Sequence, residues 1–580
     1  MRSQSNANEY LEAARSEDLQ SQEVKDLSVV ADFERRIIDS LKSAGAHLLQ
    51  GARGVGKSTL LRYTEIELDA TFRNNRVLGV YVNFKTSTLL EGIAAGQKSA
   101  FQIWVNTKIL QALHEKLIVH ELLSGAGTAD PYKQVFGIAS VEKTGTFLTE
   151  KLHQLQKLAF ADDKDAVLNE IGSDFLDKLF DPASLSEVLK DVVRQFHLER
   201  IVFLFDEAAH TFIPSQQETF FEIFKLVHGG IISCKAAVYP TVTSYGRNFE
   251  VGQDAIVLPL DRYDPAGHGK RLYRSQFRDI VDKRLPKASR KRKDVFGHGE
   301  VLDLCIDVSS GNPRAFLHIL NATLSRAWND RAVSLAAQDY VERELLPYHA
   351  NLAKRLPKYA AHVNVGLDLL RGYIVPEIAK KNRSKSVNRF QAAFFAVPGD
   401  LSPNLRLALD IMCYSGILIN KGTVKNSAQK TSLRYMVNIA LLINERAFFS
   451  AKIKESLDLI SLRDYREFSS NDTEIQGFLS KIQASSESCV HCSANLTPNA
   501  KFCSACGKRV EKQGSIIAGL LDEPTQKLSV SEKLIQRVSP EFPKVGDVVQ
   551  ATREELMRVQ YIKEVRSRMI KNAADEFISG

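Results

Sequence analysis

His47-Leu-Leu-Gln-Gly51-Ala-Arg53-Gly54-Val55-Gly56-Lys57-Ser58-Thr59-Leu-Leu-Arg-Tyr63 decides the fold of this chain. An apolar strand runs into a glycine-rich turn, and a helical pattern follows. The spacing fits G-x-x-x-x-G-K-[ST] in the strand–loop–helix setting that the motif requires. Each residue type has its own reason. Gly51, Gly54 and Gly56 let the backbone curl so that the N–H groups of Arg53, Val55 and their neighbours point at phosphate oxygens. The helix opening near Ser58 and Thr59 adds its positive end. Lys57 is placed for the β- and γ-phosphates, and the Ser58 hydroxyl for Mg²⁺. The expectation is a nucleotide site for ATP and Mg²⁺ in an α/β fold with a parallel sheet.

Working outward, Ile201-Val-Phe-Leu-Phe205-Asp206-Glu207 reads as a strand buried on both faces, as in a parallel sheet. Asp206 at its carboxyl end suits the metal shell. Glu207 beside it suits the attacking water, as hydrolysis needs one carboxylate for each. The string DEAAH superficially matches a helicase box, but the extra alanine spoils the match. A third strand is expected from Ala236 into Thr243-Ser244-Tyr-Gly246. There Thr243, and after it Ser244, is the candidate γ-phosphate sensor; ordinary turn chemistry is the rival. Ser309-Ser-Gly311-Asn312-Pro313-Arg314 opens a further helix, with Pro near its first turn. A cation there opposes the helix dipole, so Arg314 is assigned a partner elsewhere, the γ-phosphate.

The order GARGVGKS, FLFDE, a Thr/Ser-ended strand, then GNPR resembles AAA+ ATPases of the origin-recognition-complex and archaeal-initiator type. It also resembles the signalling P-loop ATPases of the STAND group. The likeness spans roughly residues 25–345. It implies catalytic roles for Lys57, Asp206, Glu207, Thr243 and Arg314. The implied architecture is a polar segment 1–24, an ATPase core 25–265 and a helical lid 266–350. About 150 residues separate the two main motifs, so residues 86–195 read as a mainly helical insertion, with amphipathic stretches at Phe101–Val119 and Ser184–Glu199. Arg271, Arg274, Arg278 and Arg284 are alternatives for an arginine finger.

Four modules are expected downstream. Residues 351–468 resemble a winged-helix domain, two strand-like runs flanking a polar loop, with Lys421, Lys425 and Lys430 placed for phosphate. Residues 469–487 read as a polar linker. Residues 488–512 carry Cys489-x-x-Cys492 and Cys503-x-x-Cys506, two knuckles that close a tetrahedron around Zn²⁺. The set is all thiolate, so the site is structural, a small zinc ribbon. Residues 513–580 resemble helix–hairpin–helix folds, with a capping box at Thr552 and Glu555. The hairpin near Gln560–Val565 lacks glycine, which leaves DNA and protein as alternative ligands.

The chain has 580 residues, 44% apolar and 25% charged, which excludes a disordered or collagen-like protein. No run of about 18 apolar residues occurs, so no membrane span is expected. The N-terminus has no apolar signal core, and a cytoplasmic location is expected. Cys234, Cys305 and Cys413 read as buried thiols of a reducing compartment. The net charge is +8, while residues 265–293 alone hold eleven Lys or Arg against two Asp, and Lys380–Arg389 is a second basic run. Such blocks suit a phosphate backbone or a solvated face. The leading expectation is an ATP-hydrolysing switch that binds double-stranded DNA, with a homo-oligomer as a further partner. The alternative is a STAND-type signalling ATPase, for example in antiviral defence, whose downstream modules bind an effector protein.

Overall fold

The structure is a computed structural model. It describes residues 19–579 except 86–93, 96–97, 124–130, 137–140, 159–160, 162, 208–213, 241, 265–266, 286–289, 356–358, 385–389, 426–430, 451 and 487–520. The zinc-ribbon cysteines and Lys430 therefore lie outside the described residues.

Two short helices, α1 (Ser21–Leu27) and α2 (Asp32–Lys42), lead into β1 (His47–Gln50). The glycine-rich turn follows, then α3 (Lys57–Asn75) and β2 (Val77–Asn83). After an insertion come β3 (Arg200–Asp206), α10 (Pro214–Val227), β4 (Ile232–Val238) and β5 (Ile256–Pro259). The five strands are parallel in the order β2-β3-β4-β1-β5. One strand, β4, thus separates the acidic strand from the strand that feeds the phosphate loop. Leu48, Phe203 and Cys234 on these strands are fully buried, because parallel sheets carry helices on both faces. Both motif ends, Gln50 and Asp206, emerge at the carboxyl edge, where ligands of open α/β sheets sit.

The insertion is helical, as expected: α4 (Ala100–Val119), α5 (Pro131–Phe136), α6 (Val141–Lys157), α7 (Lys164–Ile171), α8 (Ser173–Phe180) and α9 (Pro182–Gln195). Ala94–Ala95 pairs with Lys98–Ser99 as a two-residue ribbon before it. The expectation of an amphipathic 101–119 changes. Helix α4 is buried on nearly all faces, with Trp104 at 1% exposure. It is the axis around which α6, α8 and α10 pack. Burying each large apolar side chain is worth roughly 1.5–3 kcal/mol, so this helix holds the insertion to the sheet.

The lid comprises α11 (Gly267–Arg284), α12 (Arg290–Gly297), α13 (Gly299–Val308), α14 (Pro313–Leu324) and α15 (Asp330–Tyr340). A π-helical turn, Val341–Leu345, runs α15 straight into α16 (Leu346–Arg355). Next come α17 (Ala360–Leu369), a second π turn (Leu370–Ile374), α18 (Val375–Arg383), β6 (Phe394–Pro398), α19 (Pro403–Ser415), β7 (Leu418–Lys425), β8 (Thr431–Val437), α20 (Ile439–Asn444), α21 (Ile453–Asp458), β9 (Tyr465–Glu467) and α22 (Thr473–Ser486). The four strands form one sheet, β9-β6-β8-β7, in which β7 and β8 pair antiparallel.

Three expectations are corrected here. The third core strand ends at Val238, and Tyr239-Pro240 turns the chain before Thr243, since Pro cannot continue a central strand. The polar linker is instead helix α22, whose Ile475, Phe478 and Ile482 are buried against α17 and α19. Their i, i+3, i+7 spacing carries the helix despite a polar composition. Lys421 is not offered to solvent phosphate: it pairs with Asp261 and donates to Tyr263 O at 2.9 Å. Helix α19 is buried from Ala408 to Ser415.

Among the described residues, several cations of the basic segment 265–293 are also spent internally. Arg274 pairs with Asp307 at 2.5 Å, Arg278 with Asp303 at 2.8 Å, Lys270 with Asp307 at 3.3 Å, and Arg292 with Asp282. Arg271 and Lys293 stay exposed.

The C-terminal unit has its own core: α23 (Glu532–Val538), α24 (Val545–Gln550), α25 (Arg553–Leu556) and α26 (Glu564–Ser579). Thr552 and Glu555 form the expected capping box, with Thr552 N donating to Glu555 Oε2 at 2.7 Å. Among the described residues no helix is long and apolar enough to cross a membrane. Cys234, Cys305 and Cys413 are buried thiols.

Candidate nucleotide site

The phosphate loop spans Gly51 to Lys57, between β1 and α3. Gly54 has φ +80°, and a Cβ there would stand 2.8 Å from Asn312 Oδ1. Only glycine meets both demands. Lys57 is buried, and its Nζ donates to Gly51 O at 2.7 Å and Ala52 O at 3.0 Å. Burial pushes its ammonium down to about 7, against the opposing pull of Glu207 and Asp206. That pull places both carboxylates within electrostatic reach of the lysine. Arg53, Val55, Ser58 and Thr59 are partly buried along the same loop and first helical turn.

Asp206 ends β3 with 2% exposure. Its Oδ2 accepts from Tyr81 Oη at 2.7 Å, and Oδ1 accepts from Glu207 N at 3.0 Å. These two donors hold the carboxylate in place at the strand's end. Glu207 adopts φ +59°. That left-handed backbone is costly for a non-glycine residue and is characteristic of functional turns.

Thr243 lies beyond the Tyr239-Pro240 turn, and its side chain is committed to the backbone just after the strand. Its hydroxyl donates to Tyr239 O at 2.9 Å and accepts from Tyr239 N at 3.2 Å. It therefore staples the turn that presents Tyr239. Ser244 is held by the core helix α10, its N donating to Gln217 Oε1 at 2.6 Å and its Oγ to Glu218 Oε1 at 2.9 Å. Tyr239 is the residue at the end of β4, and its ring lies 3.8 Å from Lys57 Nζ.

The lid closes on the loop through Asn312 and Arg314. Asn312 caps α14: its Oδ1 accepts from Arg314 N at 3.0 Å and Ala315 N at 3.3 Å. The same side chain donates from Nδ2 to Arg53 O at 2.8 Å. Arg314 is exposed in the first turn, and its charge acts on Lys57. Gly311, at φ +82°, lets the chain pass Tyr263, whose N would be 2.9 Å from a Cβ there.

Sequence reading missed a second latch. Arg262, beyond β5, pairs with Glu34 of α2, its Nε donating to Oε1 at 3.0 Å, and also donates to Val55 O of the loop. Gln276 of α11 donates to the other oxygen, Glu34 Oε2, at 2.6 Å. Both ions are nearly fully buried. N-terminal helix, loop and lid meet at this point. Beside it lies a cavity lined by Val24, Gly56, Thr59, Tyr63, Ile280 and Leu317. Its walls are mostly apolar and its floor is the start of α3, which suits a base and ribose next to the phosphates. Arg284 also lines it, and burial lowers that guanidinium to about 10. Glu34 and Arg262 are 228 residues apart, so no local pattern could pair them.

The arginine-finger alternatives separate. Arg274 and Arg278 are committed to Asp307 and Asp303, Arg284 lines the cavity, and Arg271 is exposed on α11. Among the described residues no group of three or more His, Cys, Asp or Glu is placed to hold a metal by itself.

The ORC-CDC6-like family model matches residues 9–303, and the signalling-ATPase alternative gains no support. Among solved structures, the Aeropyrum pernix ORC1 protein in complex with DNA is 16% identical, with a TM-score of 0.28, covering 76% of this chain and 95% of that one. The Aeropyrum pernix ORC2 protein, in ADPNP–ADP complexes, is 12% identical, with a TM-score of 0.31, covering 76% of this chain and 96% of that one. No curated protein matches significantly.

Proposed function

Since the chain belongs to the ORC-CDC6-like family of AAA+ P-loop ATPases, we propose that it binds and hydrolyses ATP and uses nucleotide state to control double-stranded DNA binding. The observation that carries the reading is the meeting of three segments at one edge of the sheet. Lys57 lies in the loop, Asp206 and Glu207 act on it from β3, and Asn312 seats the lid on Arg53. The loop amides from Gly51 to Ser58 would take the phosphates, and the cavity of Tyr63, Ile280 and Leu317 the base. Ser58 and Asp206 would hold Mg²⁺, which supplies charge neutralisation on the phosphates when bound. Glu207 orients and deprotonates the water. Arg314 reads the terminal phosphate from the lid. Thr243 acts at one remove, by holding Tyr239 in place.

DNA is the partner favoured by the family and by the exposed cations that survive internal pairing, Arg271, Lys293 and Lys425. A role in starting DNA replication and assembly with further copies of the chain belong to the same reading. The four thiolates Cys489, Cys492, Cys503 and Cys506 would hold one structural Zn²⁺. Metal analysis of the purified protein tests that: about one zinc per chain is expected, lost on Cys503→Ser together with Cys506→Ser, and a zinc-free native protein refutes it.

The main test is ATP turnover with and without duplex DNA at two salt concentrations, for wild type and Glu207→Gln. DNA should stimulate turnover at low salt and less at high salt, because phosphate contacts release counterions. Glu207→Gln should bind ATP and lose turnover by roughly 10²–10⁴-fold, the usual worth of a general base. Undiminished turnover in Glu207→Gln removes it from that role, and turnover indifferent to DNA at both salts removes DNA as the trigger.

A further inference from the structure

The phosphate loop presents two cations, and each rests on a tyrosine. Lys57 Nζ lies 3.8 Å from the centre of the Tyr239 ring, and the Arg53 guanidinium lies 4.4 Å from that of Tyr348. A third ring joins the two. Tyr414 packs edge-on against Tyr239 with centroids 4.7 Å apart, and Tyr348 Oη donates to Tyr414 Oη at 3.1 Å. The circuit Lys57–Tyr239–Tyr414–Tyr348–Arg53 is therefore continuous. Tyr239 belongs to the ATPase core, but Tyr348 stands on α16 and Tyr414 on α19, the central helix of the downstream domain. Tyr239 and Tyr414 are nearly fully buried and share a small apolar cluster with Leu352, Val363 and Ile411.

We propose that this tyrosine triad is the element that couples nucleotide to the downstream domain, with triphosphate binding and seating of α19 on the loop opposing each other. The inference rests on the ATP reading above. An ammonium has three donors. Two of those on Lys57 go to loop carbonyls and its remaining face meets the Tyr239 ring. A bond to phosphate must replace at least one of these. The same competition holds for Arg53, whose planar fork suits phosphate better than an aromatic face. Every bond that either cation makes to phosphate thus weakens the packing that seats Tyr348 or Tyr414. By reciprocity, whatever pulls α19 away from the loop tightens nucleotide binding by the same factor. Thr243 gains a reason in this scheme, since its hydroxyl fixes the turn that carries Tyr239.

The test uses the full chain, a β,γ-imido ATP analogue with Mg²⁺, and two readouts: analogue affinity, and amide hydrogen exchange of 403–415. In wild type the analogue should speed exchange in that helix. Tyr348→Leu should tighten analogue binding roughly thirtyfold, the worth of a desolvated cation–π contact. Combining it with Arg53→Met should abolish that tightening. Tyr414→Phe keeps the ring and removes only the hydroxyl contact, and should move affinity the same way by a smaller factor; it serves if the leucine variant folds poorly. Unchanged or weaker affinity in both tyrosine variants overturns the proposal, as does strict additivity with Arg53→Met. A wild type that binds no analogue fails the ATP reading itself, and the proposal with it; normal binding with indifferent variants fails the coupling alone.

Discussion

At the scale of single residues, the site divides into what is contiguous and what the fold assembles. The strand–loop–helix of Gly51 to Ser58 was legible because one short stretch of backbone carries the whole motif, and the acidic pair because a buried strand ends at Asp206. Tyr239, Arg262 and Glu34 were not, because their partners lie far off in sequence and their neighbours carry no pattern. Thr243 was read as the strand's end because polarity suggested a sensor there, while the strand stops at Val238, five residues earlier, just before Tyr239-Pro240. Lys57 yields a prediction at this scale. Burial holds its ammonium down to about 7 in the protein alone, so above pH 7 much of it is neutral. Phosphate favours the charged form and raises that value. ATP binding should therefore take up protons above pH 7 and weaken as pH climbs, with most of a proton taken up at pH 8. Calorimetric titrations at pH 8 in buffers of different ionisation heat report this directly. Identical heats in all buffers would place Lys57 permanently charged and contradict the assignment.

Among the elements, α14 shows how one side chain serves two purposes. Asn312 both caps the helix and hangs the lid on Arg53 O. The substitution Asn312→Asp keeps a capping oxygen, since Asp and Asn are near-equal caps, and removes the amide donor; Asn312→Ala removes both. The alanine variant should lose about 1 kcal/mol of stability relative to the aspartate one, while both should lose ATP affinity. If the aspartate variant binds ATP like wild type, the amide contact to the loop has no role in closure. A second element carries a pH dependence. His349 on α16 is fully buried, with Nδ1 2.9 Å from Ser415 Oγ and Nε2 3.2 Å from Val363 O. Burial lowers it to about 4 from an ordinary 6.5. A folded value below the unfolded one means the unfolded chain binds the extra proton, so stability is lost as pH falls from 6.5 towards 4. The loss should reach up to ~3 kcal/mol and be flattened in His349→Gln, as read from urea midpoints at pH 7 and pH 4.5. An equal slope in both proteins would exclude His349 as its source. Helix α22 was illegible for a different reason. Its apolar stripe is only a few residues wide within a polar stretch, and only the grooves of α17 and α19 make it a helix rather than a linker.

For the whole molecule, the boundary that sequence placed near residue 350 is not where the packing divides. The lid and the region downstream of it share one core: Val333 and Ala337 of α15, Leu441 and Leu442 of α20 and Phe394 of β6 belong to the same buried cluster. Ile439 N donates to Ser310 Oγ across the two at 2.9 Å. The π turn at Val341–Leu345 keeps α15 and α16 one rod across the supposed border. A likeness to modular relatives suggested separate domains, while burial joins them, because α15 has apolar residues on the side that α20 covers. The C-terminal unit is the opposite case. Its core, with Val545, Val548, Leu556 and Ile570, closes on itself. Two truncations discriminate. A chain ending at Ser486 removes only the cysteine segment and the C-terminal unit. It should stay soluble and melt within a few degrees of the full chain. A chain ending at Arg355 uncovers the α13–α15 surface that α20 buries, and exposing several such side chains costs roughly 1.5–3 kcal/mol each, comparable to the stability of a whole domain. It should aggregate or melt without cooperativity. A soluble, cooperatively melting chain 1–355 would restore the lid and the region downstream of it as independent domains. It would also require nucleotide signals to cross a flexible joint rather than travel through one packed body.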